Sequence, residues 1–257
     1  MGILIKKEED IEKLRVGGKH HAEILQRLKK EVEVGVSTAD IDRKAGELLS
    51  EYGDESAFLG YTPERTRRAF PSVMCISVNE VIVHGIPAEN PVVLKEGDIV
   101  TLDLGVVHDG MITDAAITVV VGQGDAVVEK LVKDTERALY AGIEAIQPDG
   151  HVGDISAAIE AYTDTTGFSP AHDLAGHGVG YYVHEDPYVP NEGKKGTGPR
   201  LVPGMVIAIE PMLCEGSGVV DFDPDEYTVR TKDGLRSAHF EHTVLITHDG
   251  YEILTMT

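Results

Sequence analysis

The chain has 257 residues, no tryptophan and only two cysteines, Cys75 and Cys214. Neither cysteine belongs to a Cys-Xaa-Xaa-Cys or Cys-His spacing, which excludes a disulfide-rich scaffold and a thiolate type of structural zinc site. Nothing in the sequence favours a disulfide between the two. So few cysteines are typical of a protein from a reducing compartment.

Long apolar runs are missing as well. No stretch approaches the roughly 18 uninterrupted apolar residues of a membrane-spanning helix. The first ten residues carry lysines and acids where a secretory signal would have its apolar core. We therefore expect a cytoplasmic protein with no membrane partner.

Positive charge is scarce, because 23 lysines and arginines stand against 44 aspartates and glutamates, which gives a formal net charge of −21. A field of this sign repels phosphate backbones, so direct binding of nucleic acid is not expected. The basic clusters at 65–68 and 194–195 are interpreted as solvated loop charges. A hydrophobic content of 42% is enough for a sizeable core.

The order of predicted elements repeats along the chain. Apolar spacing and capping signals predict helices, and each helix pair is followed by strand-like segments. The His-Asp-Gly turn at 108–110 also recurs at 248–250. We interpret residues 1–257 as a single catalytic domain of two pseudo-repeat halves, about 8–122 and 126–257. The first predicted helix begins at Ile11 and stops at Gly35, and the other three cover 37–53, 127–146 and 154–166.

Two aspartates lie in a predicted hairpin that ought to be apolar. Asp103 stands between two leucines, and an unpaired ionised carboxylate in such a strand is costly. If residues 109–110 form a two-residue type I′ loop, Asp103 pairs with Ala116. Asp114 is then the diagonal neighbour of Asp103 on the same face, so the two carboxylates can share cations. The alternative is a solvent-facing strand with two incidental acids.

The same anomaly recurs downstream, where Glu210 and Glu241 each lie in a segment with strand character. A glycine-rich stretch between the two pairs of acids presents His177. Lysine and arginine are absent from the strands that carry the four acids, which argues against a salt-bridged core. Carboxylates with one imidazole suit hard or borderline divalent ions, and several bridging acids predict a two-metal site that activates water.

Seven residues of this chain resemble, in their order and identity, the metal-binding and catalytic residues of the type I methionine aminopeptidases. The match runs from residue 11 to residue 255. The resemblance implies an α/β (α+β) fold of the pseudo-symmetric pita-bread type, with a curved antiparallel sheet flanked by two helix pairs. It is carried by His84, Asp103, Asp114, His177, His184, Glu210 and Glu241.

The resemblance also implies a role for each side chain. Glu210 would handle the proton of the attacking water, His84 would lie near the scissile amide nitrogen, and His184 would lie near the carbonyl oxygen. A further expectation is one monovalent cation, Na⁺ or K⁺, on the backbone carbonyls of Asn79, Val81 and Ser237. Two divalent ions of Co, Mn, Fe or Zn would be held by Asp103, Asp114, His177, Glu210 and Glu241.

The family lines a pocket for the methionine side chain. Many relatives have phenylalanine in place of Val183 and tryptophan in place of Tyr227, and the loop at 62–69 is longer here than its bacterial counterpart. The two substitutions predict a roomier pocket or a rearranged wall, and the loop would lie beside that pocket. The pocket positions, which could equally be core residues, are Tyr61, Phe70, Cys75, Val183 and Tyr227.

The resemblance predicts a methionyl aminopeptidase that removes the initiator methionine when the next residue is small. The expected partners are the N-termini of nascent polypeptides, including chains at the ribosome, and the expected state is a monomer. One alternative is a proline-specific Xaa-Pro peptidase of the same fold. Such enzymes commonly carry an extra N-terminal domain, for which the ten residues before the first helix leave no room. Another is an inactive pita-bread protein that binds peptides, although such proteins typically lose ligands.

Overall fold

The structure is a computed structural model that describes residues 2–63 and 66–256. In this part of the chain the helices come in two pairs, each followed by strands. A short 3₁₀ helix, Lys29–Glu31, extends the first of them. The α-helices are α1 (Glu8–Leu28), α2 (Thr38–Tyr52), α3 (Ala126–Glu144) and α4 (Val152–Thr163).

The helix ends follow the local sequence. Ser37 caps α2, because its side chain accepts a hydrogen bond from the backbone N–H of Ala39. The side chain of Asp125 accepts two backbone N–H groups at the start of α3. The four predicted helices are confirmed, and most of their ends differ from the prediction by up to three residues. The first is shorter than predicted, because α1 and its 3₁₀ extension end at Glu31, before the predicted stop at Gly35.

Fifteen strands are found in the described residues, and every pair of neighbours is antiparallel. The strands are β1 (Glu55–Ser56), β2 (Cys75–Val78), β3 (Val81–Val83), β4 (Ile99–His108), β5 (Met111–Val120), β6 (Ser169–Pro170), β7 (Ala175–Gly178), β8 (Glu185–Pro190), β9 (Val206–Ile209), β10 (Met212–Cys214), β11 (Val220–Phe222), β12 (Val229–Thr231), β13 (Ser237–His239), β14 (His242–Ile246) and β15 (Tyr251–Ile253).

Hydrogen bonding divides the strands into four sheets. The first half supplies β1-β4-β2 with β5 beside β4, and the second half supplies β15-β14-β9-β7-β8 and β13-β10-β6. The sheet β11-β12-β3 joins strands of both halves. A separate backbone bridge between Ala116 and Glu241 links β5 to the segment before β14. The two halves therefore meet where the predicted acids lie.

The hairpin β4–β5 has the predicted register. Asp109 and Gly110 both have positive φ angles, 46° and 80°, as a type I′ turn requires. Asp103 pairs with Ala116, and Gly105 pairs with Asp114. The second turn differs from the predicted repeat, because Ile246 pairs with Tyr251 and the loop spans 247–250. The backbone N–H of residue 247 donates to the carbonyl of residue 250 and closes this wider loop.

Each helix pair covers the sheet of its own half. Leu48 of α2 and Leu25 of α1 share a buried cluster with Leu102 of β4. Ile143 of α3 and Ile159 of α4 share another cluster with strands of the second half. Burial of these apolar faces stabilises the two layers. No helix among the described residues is long and apolar enough to cross a membrane.

Candidate active site

A cavity of about 390 Å³ opens between the two halves. Its wall contains every side chain that the sequence pointed to as a metal ligand, a catalytic group or a pocket residue. The structure therefore brings the chemically active and the apolar residues of the prediction to one place. The twelve are Tyr61, Phe70, Cys75, His84, Asp103, Asp114, His177, Val183, His184, Glu210, Tyr227 and Glu241.

The acids of the first half lie on the β4–β5 hairpin and face an acid of the second half. Asp103 and Asp114 are buried on neighbouring strands. The backbone N–H of Glu241 donates to the carbonyl of Ala116 at 2.9 Å. The hydroxyl of Thr243 accepts from the N–H of Asp114 at 2.8 Å and donates to its carbonyl at 2.7 Å. These bonds fix the distance between the acids of the two halves.

His177 is oriented by its own strand. Its Nδ1 lies 2.9 Å from the carbonyl oxygen of Gly178, so Nδ1 donates and Nε2 keeps its lone pair. Nε2 lies 3.4 Å from Oε1 of Glu210. Donor atoms of Asp114, His177 and Glu241 lie within 4.8 Å of one another. This tautomer presents the nitrogen that a divalent ion would need.

One residue of the cluster was missed by the sequence reasoning. His239 is buried, and its Nε2 lies 3.5 Å from Oε2 of Glu210 and 3.8 Å from Oε2 of Glu241. Neither ring nitrogen has a hydrogen-bond partner among the described residues. Because side chains two apart in an extended segment point to the same side, Glu241 already indicated His239.

The four acids lack compensating charge. Burial raises the pKa of Asp103 and the pKa of Glu210 to about 7 each, and it also raises the pKa of Asp114 and of Glu241. Mutual repulsion adds to the rise for all but Glu210. Among the described residues, no lysine or arginine forms an ion pair with any of these acids, and the ion pairs that involve them join Glu210 and Glu241 to His177 and His239.

Buried oxygens without partners mark the centre of the cluster. Oδ1 of Asp114 and Oε1 of Glu241 accept no hydrogen bond from the described residues. An unsatisfied buried acceptor is costly, and hard divalent cations are its natural partners. The donor set of four carboxylates and at least one imidazole therefore fits a divalent metal centre.

Two further histidines face the cavity without joining the acids. Burial lowers the pKa of His84 to about 4 and the pKa of His184 to about 3, so both rings are neutral near pH 7. Nδ1 of His184 lies 2.9 Å from the hydroxyl of Tyr61, and the His184 ring packs edge to face on His177 with 4.5 Å between centroids. Nδ1 of His84 lies 3.3 Å from the carbonyl of Tyr227. In each ring, the contact made by Nδ1 holds the imidazole in place, and Nε2 is left to contact a substrate.

The apolar wall forms one cluster beside the acids. It contains all five predicted pocket residues together with four that sequence reasoning missed, Ala57, Phe58, Ile86 and Ile112. The rings of Phe70 and Tyr227 meet edge to face at 5.1 Å. Phe58 follows the short strand β1, and the sequence carried no signal for it because its contacts are long-range.

Tyr227 connects the wall to the loop at 62–69. Its hydroxyl donates to the carbonyl of Arg68 at 2.5 Å, and the guanidinium of Arg68 lies 5.7 Å from the ring centroid. Arg68 also forms two hydrogen bonds with the carboxylate of Glu89. The described part of the loop therefore packs on the pocket wall, while Glu64 and Arg65 lie outside the described residues.

The residues expected to hold a monovalent cation lie outside the cavity wall. The hydroxyl of Ser237 lies 3.1 Å from the carbonyl oxygen of Asn79 and 3.3 Å from that of Val81. The backbone N–H of Ser237 also donates to Asn79 at 2.9 Å. The structure brings these three residues together, and their role as a cation site stays a prediction.

Comparison with known proteins gives concordant results. The model for metallopeptidase family M24 matches residues 12–248. The chain is 44% identical to the methionine aminopeptidase of Aquifex aeolicus, over 99% of both sequences. It is similar to the crystal structure of methionine aminopeptidase from Thermotoga maritima, with a TM-score of 0.94, 41% identity and full coverage of both chains. The prolidase of Pyrococcus furiosus shares the fold, with a TM-score of 0.77, 23% identity and coverage of 98% of this chain and 65% of that one.

Proposed function

The chain belongs to metallopeptidase family M24, and we propose that it is a metal-dependent aminopeptidase that removes N-terminal methionine from proteins and peptides whose second residue is small. Relatives that match almost its full length are methionine aminopeptidases. Its fold is the pita-bread fold of this family, with four helices and antiparallel sheets.

The observation that carries the proposal is the position of the acid cluster next to the apolar cluster in one cavity. The acids and His177 can hold the reacting end of a peptide. The apolar wall fits an unbranched thioether, because sulfur makes favourable contacts with aromatic rings such as Phe70 and Tyr227, and Cys75 and Val183 offer small apolar surfaces.

Asp103, Asp114, His177, Glu210 and Glu241 would hold two divalent ions, and His239 lies close enough to join them. Co(II), Mn(II), Fe(II) and Zn(II) all accept such a ligand set, so availability decides among them. Bound ions would lower the pKa of a water molecule and polarise the scissile carbonyl.

The side chains of the protein supply the proton transfers and the orientation. Glu210 would accept the proton of the attacking water, since a carboxylate beside the bound ions is well placed to take a proton from a water molecule that they activate. If Nδ1 of His184 accepts the Tyr61 hydroxyl, its Nε2–H is free to donate to the carbonyl oxygen as negative charge develops. His84 would contact the amide nitrogen of the scissile bond.

The alternatives have less support. The likeness to prolidases lies below 25% identity and concerns the fold alone. An inactive binding protein would be expected to lack ligands, whereas all seven positions that carry the resemblance are filled and face one cavity. Nascent chains at the ribosome, a monomeric state, a cytoplasmic location and a single domain over 1–257 remain part of the proposal.

The test is release of free methionine from Met-Gly and Met-Ala peptides, compared with Met-Leu and Ala-Pro peptides, after chelation and after addition of each candidate metal. We expect metal-dependent release from Met-Gly and Met-Ala and at least about 10-fold slower release from Met-Leu. Preference for Ala-Pro would favour the prolidase alternative. Absence of hydrolysis with every metal would favour the inactive protein.

A further inference from the structure

A second group of potential metal ligands lies away from the cavity, where α1 and the end of α2 meet the β4–β5 turn. We propose that His20, Asp54 and His108 bind one divalent transition-metal ion such as Zn(II). Nδ1 of His20 lies 2.8 Å from one carboxylate oxygen of Asp54, and Nδ1 of His108 lies 2.6 Å from the other. One donor atom from each residue lies within 4.8 Å of the other two.

The carboxylate of Asp54 needs positive charge. Its side chain has 0% exposure. It follows Gly53, the left-handed cap of α2, and its N–H donates to the carbonyl of Leu49, so it lies at the negative end of the helix dipole. Its ion pairs in the described part of the chain are with the two imidazoles alone. Neutral imidazoles supply hydrogen bonds but no charge, whereas a divalent ion supplies both a ligand contact and charge.

The surroundings hold the two rings in place. A Cβ at Gly17 would lie 2.8 Å from Cβ of His108, so the absence of a side chain there makes room for the imidazole beside α1. The ring of Tyr52 packs on His20 with 4.6 Å between centroids. Oδ2 of Asp109 lies 3.9 Å from Nε2 of His108. That distance is too long for a hydrogen bond, but it places a carboxylate near the non-ligating nitrogen, where a metal-bound histidine usually has a polar partner.

The donor set selects the kind of ion. Two imidazole nitrogens and one carboxylate suit Zn(II), Co(II) or Ni(II), whereas Ca²⁺ and Mg²⁺ prefer oxygen ligands alone. The side chains of His20 and His108 are 22% and 19% exposed, so an ion and its water ligands can reach them. In a tetrahedral Zn(II) site, neighbouring ligand atoms lie roughly 3.4 Å apart. The two Nδ1–oxygen distances would therefore lengthen when the ion takes the place of the hydrogen-bonding protons.

A bound ion would join three elements that are distant in sequence. His20 lies on α1, Asp54 follows α2, and His108 ends the strand that carries Asp103. None of the three lines the active-site cavity. The proposed site is therefore separate from the acid cluster and does not depend on the proposed function.

The test measures Zn(II) binding in a background in which two of the four clustered acids are neutralised. In Asp103→Asn/Glu241→Gln we expect one bound Zn(II) per chain, by calorimetric titration and by metal analysis after dialysis. Adding His20→Ala and His108→Ala to this background should reduce the number of bound Zn(II) ions by one per chain. The matched control is His172→Ala, which removes an exposed histidine 3.6 Å from the carboxylate of Glu192 and should leave binding unchanged.

A second measurement covers the case in which the background variant does not fold. In the otherwise unchanged chain, His20→Ala/His108→Ala should bind one Zn(II) fewer than the parent, while His172→Ala should not. Zn(II) should also raise the melting temperature of the parent more than that of the double variant. Equal stoichiometry with and without the two histidines would show that the cluster is only a hydrogen-bonded contact and would overturn the proposal.

Discussion

Lys6 and Glu185 form an ion pair with both charged groups buried, although 179 positions separate them in the chain. The other carboxylate oxygen of Glu185 accepts the backbone N–H groups of Tyr181, at 2.6 Å, and Tyr182, at 3.0 Å. His184 lies within the turn that these bonds close. The N-terminal segment therefore fixes the position of a proposed catalytic histidine.

Lys6→Met should destabilise the protein and reduce kcat together. Removing one partner of a buried ion pair leaves the other charge uncompensated, which typically costs about 3–5 kcal/mol. Unfolding by denaturant measures this cost, and steady-state methionine release measures kcat. The double variant Lys6→Met/Glu185→Gln should recover part of the stability, while Lys7→Met at the exposed neighbour should change neither quantity. Full stability in Lys6→Met would contradict the role assigned to the pair.

His184→Ala should lower kcat by at least about 10²-fold, because a donor to the developing oxyanion is lost. Its metal content should match that of the parent, because His184 is proposed to contact substrate and not metal. Tyr61→Phe should retain more activity, with a fall of about 2- to 10-fold for one lost hydrogen bond. Elemental analysis alongside kinetics separates the two roles. Loss of metal from His184→Ala would make that histidine a ligand.

Divalent metal should stabilise the fold, since ions bound to the native state alone add RT ln(1 + [L]/Kd), about 2.7 kcal/mol at a hundredfold excess over Kd. Asp103→Asn relieves part of the repulsion in the acid cluster, so its chelated form should melt at or above the chelated parent. The same variant should gain less than the parent from Mn(II) or Co(II). Calorimetry on chelated and loaded samples compares them. Equal gains would mean that Asp103 is not a ligand.

The chelated protein should lose stability as pH rises from about 5 to about 8. Burial raises the pKa of Asp103 and of Glu210 to about 7. A carboxyl group with a raised pKa in the folded state binds its proton more tightly when folded. Its contribution is therefore complete below the unfolded pKa near 4 and is lost as pH rises through about 7.

Thermal melts across this pH range provide the measurement. General repulsion in a chain of net charge −21 also grows with pH, so the comparison is with Asp103→Asn/Glu210→Gln, which should lose less stability over the same range. Saturating metal should likewise flatten the profile of the parent. Parallel profiles for parent and variant would place the pH dependence elsewhere in the molecule.

Local patterns in the sequence predicted a large part of the fold. The glycine after Asp109 predicted the tight turn, and the turn predicted which residues of β4 and β5 face each other. Capping residues such as Ser37 predicted where helices begin. These signals work because turn geometry and helix capping depend on residues only a few positions apart.

The features that escaped sequence reasoning depend on contacts between distant segments. No pattern near Lys6 indicates Glu185, and none near Asp54 indicates His20 or His108. The length of the loop between β14 and β15 was not predicted either. An Asp-Gly pair there suggested a two-residue loop in which His248 would pair with Tyr251, but Tyr251 pairs with Ile246, so the loop is two residues longer on the β14 side.

The backbone bridge between Ala116 and Glu241 is one of the hydrogen-bonded connections that cross from one half to the other beside the acids. Ions held by ligands from both halves would act there as a reversible cross-link between segments far apart in sequence. In the chelated chain, repulsion between the acids opposes this contact. Amide hydrogens of residues 114–116 and 241–243 should then exchange with solvent before those of the helix pairs, so metal supply would set how tightly the two halves are closed.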